Sequence, residues 1–233
     1  MTRRRPVLMY HAVDTKADPM GIQVTPRRLR QQLEQLRRLG LRGVSMRELL
    51  EARTSRARLV GLTFDDGYAD FATTAVPILA EFGFTSTVFI VAGHVGGTND
   101  WDPPPRRPLM TAEQLRSVEN VGHEIGAHGM RHVRLDAVAS GILAKEVLES
   151  KAALEHLLRV TVTGFAYPYG VVSADAVAAV RNVYHYACAI KAAPSIDRWT
   201  LPRVHVGERD GEARLTVKLA IRPVRERLQR RSP

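Results

Sequence analysis

Two adjacent carboxylates at the end of an apolar segment are the first residues in this sequence that could do chemistry. Residues 59–64 (Leu-Val-Gly-Leu-Thr-Phe) are typical of a buried strand, and Asp65 and Asp66 follow them directly. Further along the chain, His128 and His132 follow a second strand-like segment. One carboxylate and two imidazoles leave coordination positions for water and substrate, so this pattern predicts an open metal site.

The spacing of the two histidines indicates how such a site could form. If the segment turns as a helix, His128 and His132 project to one side, and Asp66 can supply an oxygen ligand. A divalent ion there would lower the pKa of a bound water to about 7 and polarise a carbonyl, which suits hydrolysis of an amide or ester. These ligands suit zinc, cobalt, nickel or iron, and zinc is the ion that we expect. For the histidine spacing alone, an exposed helix pair is the alternative.

The two carboxylates are expected to have different roles, because neighbours at a strand end point in different directions. With Asp66 on the metal, Asp65 is the candidate general base, since a carboxylate beside a cation stays ionised near neutral pH. The adjacency argues against a glycosidase, which places two carboxylates about 5 to 9 Å apart across the scissile bond.

Strand-like and helical segments alternate around these residues. Strands are predicted at 7–10, 43–45, 59–64, 86–91, 124–127, 164–167, 186–190 and 201–204. Helices are predicted at 26–39, where Thr25 is a cap, and at 71–82, 111–119, 141–158 and 173–182. The alternation predicts an α/β fold with a parallel sheet, and the number of units favours a barrel. One face of that barrel would collect His11, Asp65, Asp66, His128, Tyr169 and His205.

Composition sets the expected surroundings of the protein. The 233 residues are predicted to form one domain over 1–233, with a basic C-terminal tail from about 222. Cys188 is the only cysteine, and no segment is typical of an export signal or a membrane span, so a cytoplasmic location is expected. The formal charge of +10 indicates a solvated surface, with a peripheral contact between the tail and an anionic membrane as the alternative. No nucleic-acid partner is expected, because no recognition motif accompanies the charge.

Three ordered motifs resemble those of a known family. They are 63–67 (Thr-Phe-Asp-Asp-Gly), 128–132 (His-Gly-Met-Arg-His) and 166–170 (Ala-Tyr-Pro-Tyr-Gly). Over nearly its whole length the chain resembles the polysaccharide deacetylases of carbohydrate esterase family 4, the NodB-homology group. The resemblance implies a distorted (β/α)7-8 barrel and removal of an acetyl group from an N-acetylated sugar, with release of acetate.

The resemblance also implies roles for individual residues. A divalent metal would be held by Asp66, His128 and His132, with Asp65 as the base. The backbone N–H of Tyr169 would stabilise the oxyanion together with the metal. Each role is carried over from the matching motif position.

The chain departs from the family pattern at two motif positions. Gly129 stands where the family usually has Ser or Thr, whose hydroxyl can steady the metal loop. Ala166 stands where many members have an arginine that orients the catalytic aspartate. Arg203, at another predicted strand end, is the candidate substitute for that arginine.

The general acid that protonates the leaving amine has two candidates. The late Leu-x-His motif of the family is matched only loosely at His205. The opening residues 7–11 (Val-Leu-Met-Tyr-His) resemble the branch that acts on poly-N-acetylglucosamine, in which an early Tyr-His histidine has this role. His11 is therefore the favoured acid, and a structural histidine at a strand end is the alternative for it.

The leading prediction is a metal-dependent carbohydrate N-deacetylase. Its partner would be an N-acetylated saccharide, and a cytoplasmic location would favour a lipid-linked or nucleotide-linked one. The alternatives are a non-sugar C–N amide hydrolase on the same barrel, a catalytically inactive carbohydrate-binding barrel and a metal phosphoesterase, which usually needs more carboxylates. Trp101, in the loop that also contains His94 and Asp100, is a candidate for stacking on a sugar, whereas His123 and His156 are expected to be structural or exposed.

Overall fold

The structure is a computed structural model that describes residues 5–16, 18, 20–52, 55–190 and 196–229, with only the backbone for 221–229. The strands in these ranges are β1 (Val7–Tyr10), β2 (Ala12–Val13), β3 (Gln23–Val24), β4 (Arg42–Val44), β5 (Leu59–Phe64), β6 (Thr87–Ile90), β7 (Glu124–Ala127), β8 (Gly164–Ala166), β9 (Tyr186–Ala189), β10 (Leu201–Pro202) and β11 (Val204–His205). The α-helices are α1 (Pro26–Arg38), α2 (Met46–Glu51), α3 (Val76–Glu81), α4 (Ala112–Asn120), α5 (Ser140–Leu158), α6 (Ala174–Arg181) and α7 (Glu212–Gln229). No helix in this described part is long and apolar enough to cross a membrane.

Nine strands pair in one sheet, in the order β10-β9-β8-β7-β6-β5-β1-β11, with β4 also paired to β5. All of these pairings are parallel. β2 and β3 form a small separate sheet. β1, β6 and β7 have four residues each, and all of these residues are buried. These strands are therefore covered on both faces, as is typical of a parallel sheet surrounded by helices.

The last extended segment of the sheet joins its two edges. β10 pairs with β9, and β11 pairs with β1. Only Arg203 separates β10 from β11, so the sheet nearly closes into a barrel surrounded by helices, and Arg203 lies at the seam. The predicted α/β fold with a distorted parallel barrel is therefore confirmed.

Helix α1 shows how local sequence signals produce the outer layer. The Thr25 hydroxyl accepts a hydrogen bond from the Arg28 N–H, as predicted for its cap. Leu29, Leu33 and Leu36 recur at helical spacing and are fully buried. The apolar stripe of this helix thus packs into the core while its arginines remain outside.

Several elements differ from those predicted. The helix expected at 71–82 is divided into a π-helical turn, Phe71–Ala75, and α3. Pro77 explains the break, because its ring nitrogen cannot donate the hydrogen bond that a continuous α-helix needs. Helices α2 and α7 were not predicted. α7 includes 222, where a basic tail was predicted to begin, and 230–233 lie outside the described residues.

Candidate metal centre and active site

The end of β5 separates the two neighbouring carboxylates. Asp66 and Gly67 both have left-handed backbone conformations, with φ of 73° and 77°. A Cβ atom on Gly67 would lie 2.9 Å from the Ile90 side chain, so this tight turn requires glycine. Both aspartates are buried, with exposed fractions of 2% for Asp65 and 4% for Asp66, and they face different partners. Backbone strain in a buried acidic turn is typical of functional sites.

Asp66 lies between the two motif histidines. Its Oδ1 is 3.4 Å from Nε2 of His128 and 3.3 Å from Nε2 of His132. The three potential ligand atoms all lie within 4.8 Å of one another. Ligands about 2.0 to 2.2 Å from a tetrahedral zinc ion are separated by roughly 3.3 to 3.5 Å, so these residues fit a divalent ion. The buried Oδ1 has no hydrogen-bond partner in the described part of the chain.

The orientation of His128 is fixed by the next strand. Its Nδ1 is 2.7 Å from the carbonyl oxygen of Ala166, and a carbonyl only accepts, so Nδ1 carries the proton. This leaves Nε2 for a metal, as in many histidine ligands held by a backbone carbonyl. Although burial opposes a charged imidazole, Asp65 and Asp66 outweigh it and raise the pKa of His128. A divalent ion therefore competes with a proton for this position.

The segment that carries the two histidines is a loop, so the helix assumed for it at the sequence level is wrong. Gly129 and His132 have left-handed conformations, with φ of 79° and 58°. The Glu146 carboxylate on α5 accepts hydrogen bonds from the backbone N–H groups of Met130 and Arg131, at 2.8 and 3.0 Å. The imidazoles converge because of this loop geometry and not because of helical spacing.

Aromatic rings surround His132. The Trp101 ring stacks on it with a centroid distance of 4.7 Å and an interplanar angle of 28°, and the Tyr169 ring lies 4.7 Å away at a tilt. Nδ1 of His132 is buried without a hydrogen-bond partner in the described residues. The ring is thus held by packing, whereas His128 is held by a hydrogen bond. Trp101 itself meets His94 edge-on, and His94 lies 3.2 Å from Asp100.

Asp65 forms a bidentate ion pair with Arg203, with N–O distances of 2.6 and 2.7 Å. The guanidinium also donates to the Thr63 hydroxyl and lies over the Phe89 ring, 5.4 Å from its centroid. Burial raises the pKa of Asp65, but Arg203 and His128 outweigh it, so the pKa lies below its usual range. Arg203, the candidate substitute for the arginine absent at Ala166, is therefore in direct contact with Asp65.

The two candidate acids lie beside each other on neighbouring strands. His11 follows β1, His205 is in β11, and their ring centroids are 5.9 Å apart. Burial, followed by the charges of His11 and Lys218, lowers the pKa of His205. The two candidate acids therefore lie side by side at the carboxyl ends of β1 and β11.

The third motif brings Tyr169 to the same face. Its backbone is left-handed, with φ of 58°, within the short turn Pro168–Gly170. The side chain is 45% exposed and packs on His132. The residues predicted to share one face of the barrel, His11, Asp65, Asp66, His128, Tyr169 and His205, therefore lie at the carboxyl ends of parallel strands, where barrel active sites are built.

Glu146, whose carboxylate contacts the loop between the histidines, was not predicted from the sequence. The signal was present, because Glu146 falls on the apolar stripe of α5 together with the buried Leu143, Val147 and Leu154. A charge at a core position of an amphipathic helix needs a buried partner. That partner is the loop between the histidines, which only the folded topology brings to α5.

A nearly closed parallel barrel with a buried Asp-His-His cluster beside a second aspartate defines a class of candidate metal-dependent hydrolases. The sequence profile of the family described as polysaccharide deacetylase matches residues 52–187, more than half of the chain. The chain belongs to the polysaccharide deacetylase family. The matched range includes all three motifs but not His11, Arg203 or His205.

The chain is also similar in sequence to curated relatives. The chain is 24% identical to poly-beta-1,6-N-acetyl-D-glucosamine N-deacetylase of Staphylococcus epidermidis over 85% of this chain and 78% of that protein. It is 24% identical to YxkH of Bacillus subtilis over 71% of this chain, and that match spans only 56% of YxkH.

Solved structures share the fold. The deacetylase PplD of Streptococcus pyogenes, in complex with acetate, has a TM-score of 0.80 at 22% identity and covers 94% of this chain and 99% of its own. IcaB from Ammonifex degensii has a TM-score of 0.78 at 24% identity and covers 92% and 96%. At these identities the likeness concerns the fold.

Proposed function

We propose that this protein is a metal-dependent N-deacetylase, which hydrolyses the acetamide of an N-acetylated saccharide and releases acetate. The observation that carries the proposal is the buried cluster of Asp66, His128 and His132 beside the Asp65–Arg203 ion pair. Membership of the polysaccharide deacetylase family supports the reaction class.

In this proposal the metal ligands are Asp66 Oδ1 and the Nε2 atoms of His128 and His132. The bound divalent ion, zinc by our expectation, would polarise the acetamide carbonyl and lower the pKa of water. Asp65 accepts a proton from the attacking water as the new C–O bond forms. Arg203 keeps Asp65 ionised and holds both of its oxygens in place.

The second half of the reaction needs an acid and a hydrogen-bond donor. The backbone N–H of Tyr169 donates to the oxyanion of the tetrahedral species. When the C–N bond breaks, His11 donates a proton to the departing amine, with His205 as the second candidate. The products are acetate and the free amino sugar, which together account for the water consumed.

The first substrate that we propose is an oligosaccharide of N-acetylglucosamine. The support is the printed name of the Staphylococcus epidermidis relative, which aligns with 85% of this chain. Lipid-linked and nucleotide-linked N-acetylated saccharides are the alternative forms of this substrate class.

The test is acetate release from a panel of β-1,6-linked, lipid-linked and nucleotide-linked N-acetylated saccharides. Wild-type protein loaded with zinc is compared with Asp65→Asn, and Asp175→Asn, at an exposed acid on α6, is the matched control. We expect Asp65→Asn to keep its metal and to lose activity by about 10²- to 10⁴-fold, the range of a general base.

Two results would contradict the proposal. Metal-loaded wild-type protein that releases no acetate from any saccharide would remove the sugar assignment, and a wider amide panel would then test for a non-sugar amidase. Full activity of Asp65→Asn would remove the base role while leaving the reaction class in place.

A further inference from the structure

Glu146 is a buried carboxylate that the proposed reaction does not use. Its exposed fraction is 0%, and it lies on the face of α5 that packs into the core. A buried carboxylate is costly unless hydrogen bonds satisfy its oxygens. The hydrogen-bond partners of Glu146 therefore indicate its role in the structure.

Within the described part of the chain, the hydrogen bonds of Glu146 all lead to the loop between the two histidines. Oε2 accepts from the N–H groups of Met130 and Arg131, and Oε1 accepts from Nε of Arg131 at 2.8 Å. Hydrogen bonds to an ionised acceptor are among the strong ones in proteins. The carboxylate thus fixes two consecutive peptide groups of a five-residue segment that begins at His128 and ends at His132.

The glycine in this loop leaves room for the same carboxylate. A Cβ atom on Gly129 would lie 3.0 Å from Glu146 Oε2, and the φ of Gly129 is 79°. Gly129 also lacks the hydroxyl that the resemblance associates with steadying this loop. The carboxylate of Glu146 occupies the space beside Gly129 and supplies the acceptor.

His132 depends on this loop more than His128 does. The ring of His128 is fixed by its hydrogen bond to Ala166, whereas Nδ1 of His132 has no partner among the described residues. The position of the His132 ring therefore follows the loop backbone and the aromatic rings around it. A shift of the loop would change the distance from His132 Nε2 to Asp66 Oδ1, which is 3.3 Å.

We propose that Glu146 is a positioning residue that holds His132 at ligand distance and so sets the affinity of the site for a divalent ion. The inference rests on the metal site of the proposed function. It extends that function to a residue which touches neither substrate nor metal. A purely structural role, in which Glu146 only joins α5 to the loop, makes a different prediction, because it affects thermal stability and leaves metal affinity unchanged.

The experiment measures zinc affinity of the full chain by competition with a chromophoric chelator, together with thermal unfolding of the metal-free protein. Glu146→Ala removes all three hydrogen bonds, and Glu146→Gln keeps the shape of the side chain but removes its charge. Glu149→Gln, at an exposed position on the same helix, is the matched control. Absorption spectra of the cobalt-loaded proteins report the ligand geometry directly.

We expect Glu146→Ala to weaken zinc binding about 10- to 100-fold, as for other residues that orient metal ligands. Glu146→Gln should weaken binding less, both variants should alter the cobalt spectrum, and Glu149→Gln should change neither quantity. If Glu146→Ala does not fold, Glu146→Gln decides the question.

A folded Glu146 variant with wild-type zinc affinity and an unchanged cobalt spectrum would overturn the proposal, even if its melting temperature fell. Wild-type protein that binds no zinc would instead overturn the metal site of the proposed function. The two failures are therefore distinguishable.

Discussion

At the scale of single residues, the sequence marked those candidate site residues that can be recognised from residue type and short-range spacing. Asp65 and Asp66 are adjacent, and His128 and His132 are four positions apart, so type and spacing alone marked them. Glu146 and the pairing between Asp65 and Arg203 depend on contacts between residues far apart in the chain. Periodicity and motif spacing carry no information about such contacts, so Arg203 could be proposed as a candidate but its partner geometry could not.

The Asp65–Arg203 pair yields a prediction about stability. Arg203→Met removes one member of a buried pair and leaves the Asp65 carboxylate buried without its bidentate partner. We expect the free energy of unfolding at neutral pH to fall by about 3 to 5 kcal/mol, the typical cost of breaking a buried ion pair. Urea unfolding of both proteins measures this. Arg203→Lys should recover only part of the loss, because an ammonium group cannot reproduce the planar two-point contact.

The same variant yields a prediction about pH dependence. Burial raises the pKa of Asp65 while Arg203 lowers it, so removing Arg203 raises this pKa. Because the base must be ionised, the acidic limb of kcat/KM should move to higher pH in Arg203→Met. A pH–rate profile of the folded variant with an unmoved acidic limb would show that Arg203 does not tune the base.

At the scale of elements, strand and helix patterns predicted most of the barrel. β5 and β7 have the predicted bounds because continuous apolar segments between turn residues are strong signals. The strand predicted at 201–204 is divided at Arg203 into β10 and β11, which have two residues each and are too short for a periodic pattern to reveal the division. Helix α2 has six residues, again too short to show a stripe. Trp101 was a sugar-stacking candidate, but the ring on which it stacks in the structure, His132, could not be read from the sequence.

The stack between Trp101 and His132 yields the prediction at this scale. Trp101→Ala removes a ring that covers a proposed metal ligand whose Nδ1 is otherwise unpartnered among the described residues. An aromatic pair of this kind contributes about 0.5 to 1.5 kcal/mol beyond its buried area, which corresponds to roughly a 2- to 10-fold change. We expect zinc to transfer to an excess of chelator faster by that factor.

Trp101→Phe is the matched control for this experiment, because a phenyl ring can still stack on an imidazole. It should release zinc at nearly the wild-type rate. Equal rates in Trp101→Ala and wild-type protein would show that the ring has no part in holding His132 and would return Trp101 to the role of a sugar-stacking candidate.

At the scale of the whole molecule, the candidate site and a buried hydrogen-bond network lie at opposite ends of the barrel. The carboxyl ends of the strands collect the candidate site, while the opposite end contains a buried network around Glu124. That carboxylate accepts hydrogen bonds from the hydroxyls of Thr87 and Tyr186 and from the Arg47 N–H. The surface agrees with the predicted solvated charge, since exposed arginines such as Arg30 pair with acids such as Glu81. Exposed pairs of this kind contribute little to stability individually.

Buried titratable groups outside the site make stability depend on pH, and His123 is the clearest case. It was expected to be structural or exposed, and it is buried, with 4% exposed and its Nδ1 3.0 Å from the Ser86 hydroxyl. Burial lowers the pKa of His123 to about 4. The unfolded chain, with a histidine pKa of about 6.5, therefore binds more protons than the folded one between these values. His123 destabilises the fold progressively as pH falls from about 6.5 to about 4.

Asp70 has the opposite effect on the free energy of unfolding over part of the same pH range. Burial raises the pKa of Asp70 to about 6, so the folded protein binds the extra proton there, and this contribution to stability grows as pH falls. The total pH profile of the wild-type protein combines both effects. Only a comparison with a variant that lacks one group isolates the other.

His123→Gln provides that comparison, because glutamine is neutral at all these pH values and can still bond to Ser86. The variant should be less stable than the wild-type protein at pH 7, where the neutral imidazole is well packed. Between pH 7 and pH 4 the difference in unfolding free energy should change in favour of the variant by about 3 kcal/mol, since each unit of pKa shift corresponds to about 1.4 kcal/mol. Urea unfolding at several pH values measures it. A constant difference across this range would mean that His123 takes up its proton in the folded protein as readily as in the unfolded chain. That result would contradict the prediction that the buried imidazole of His123 stays neutral.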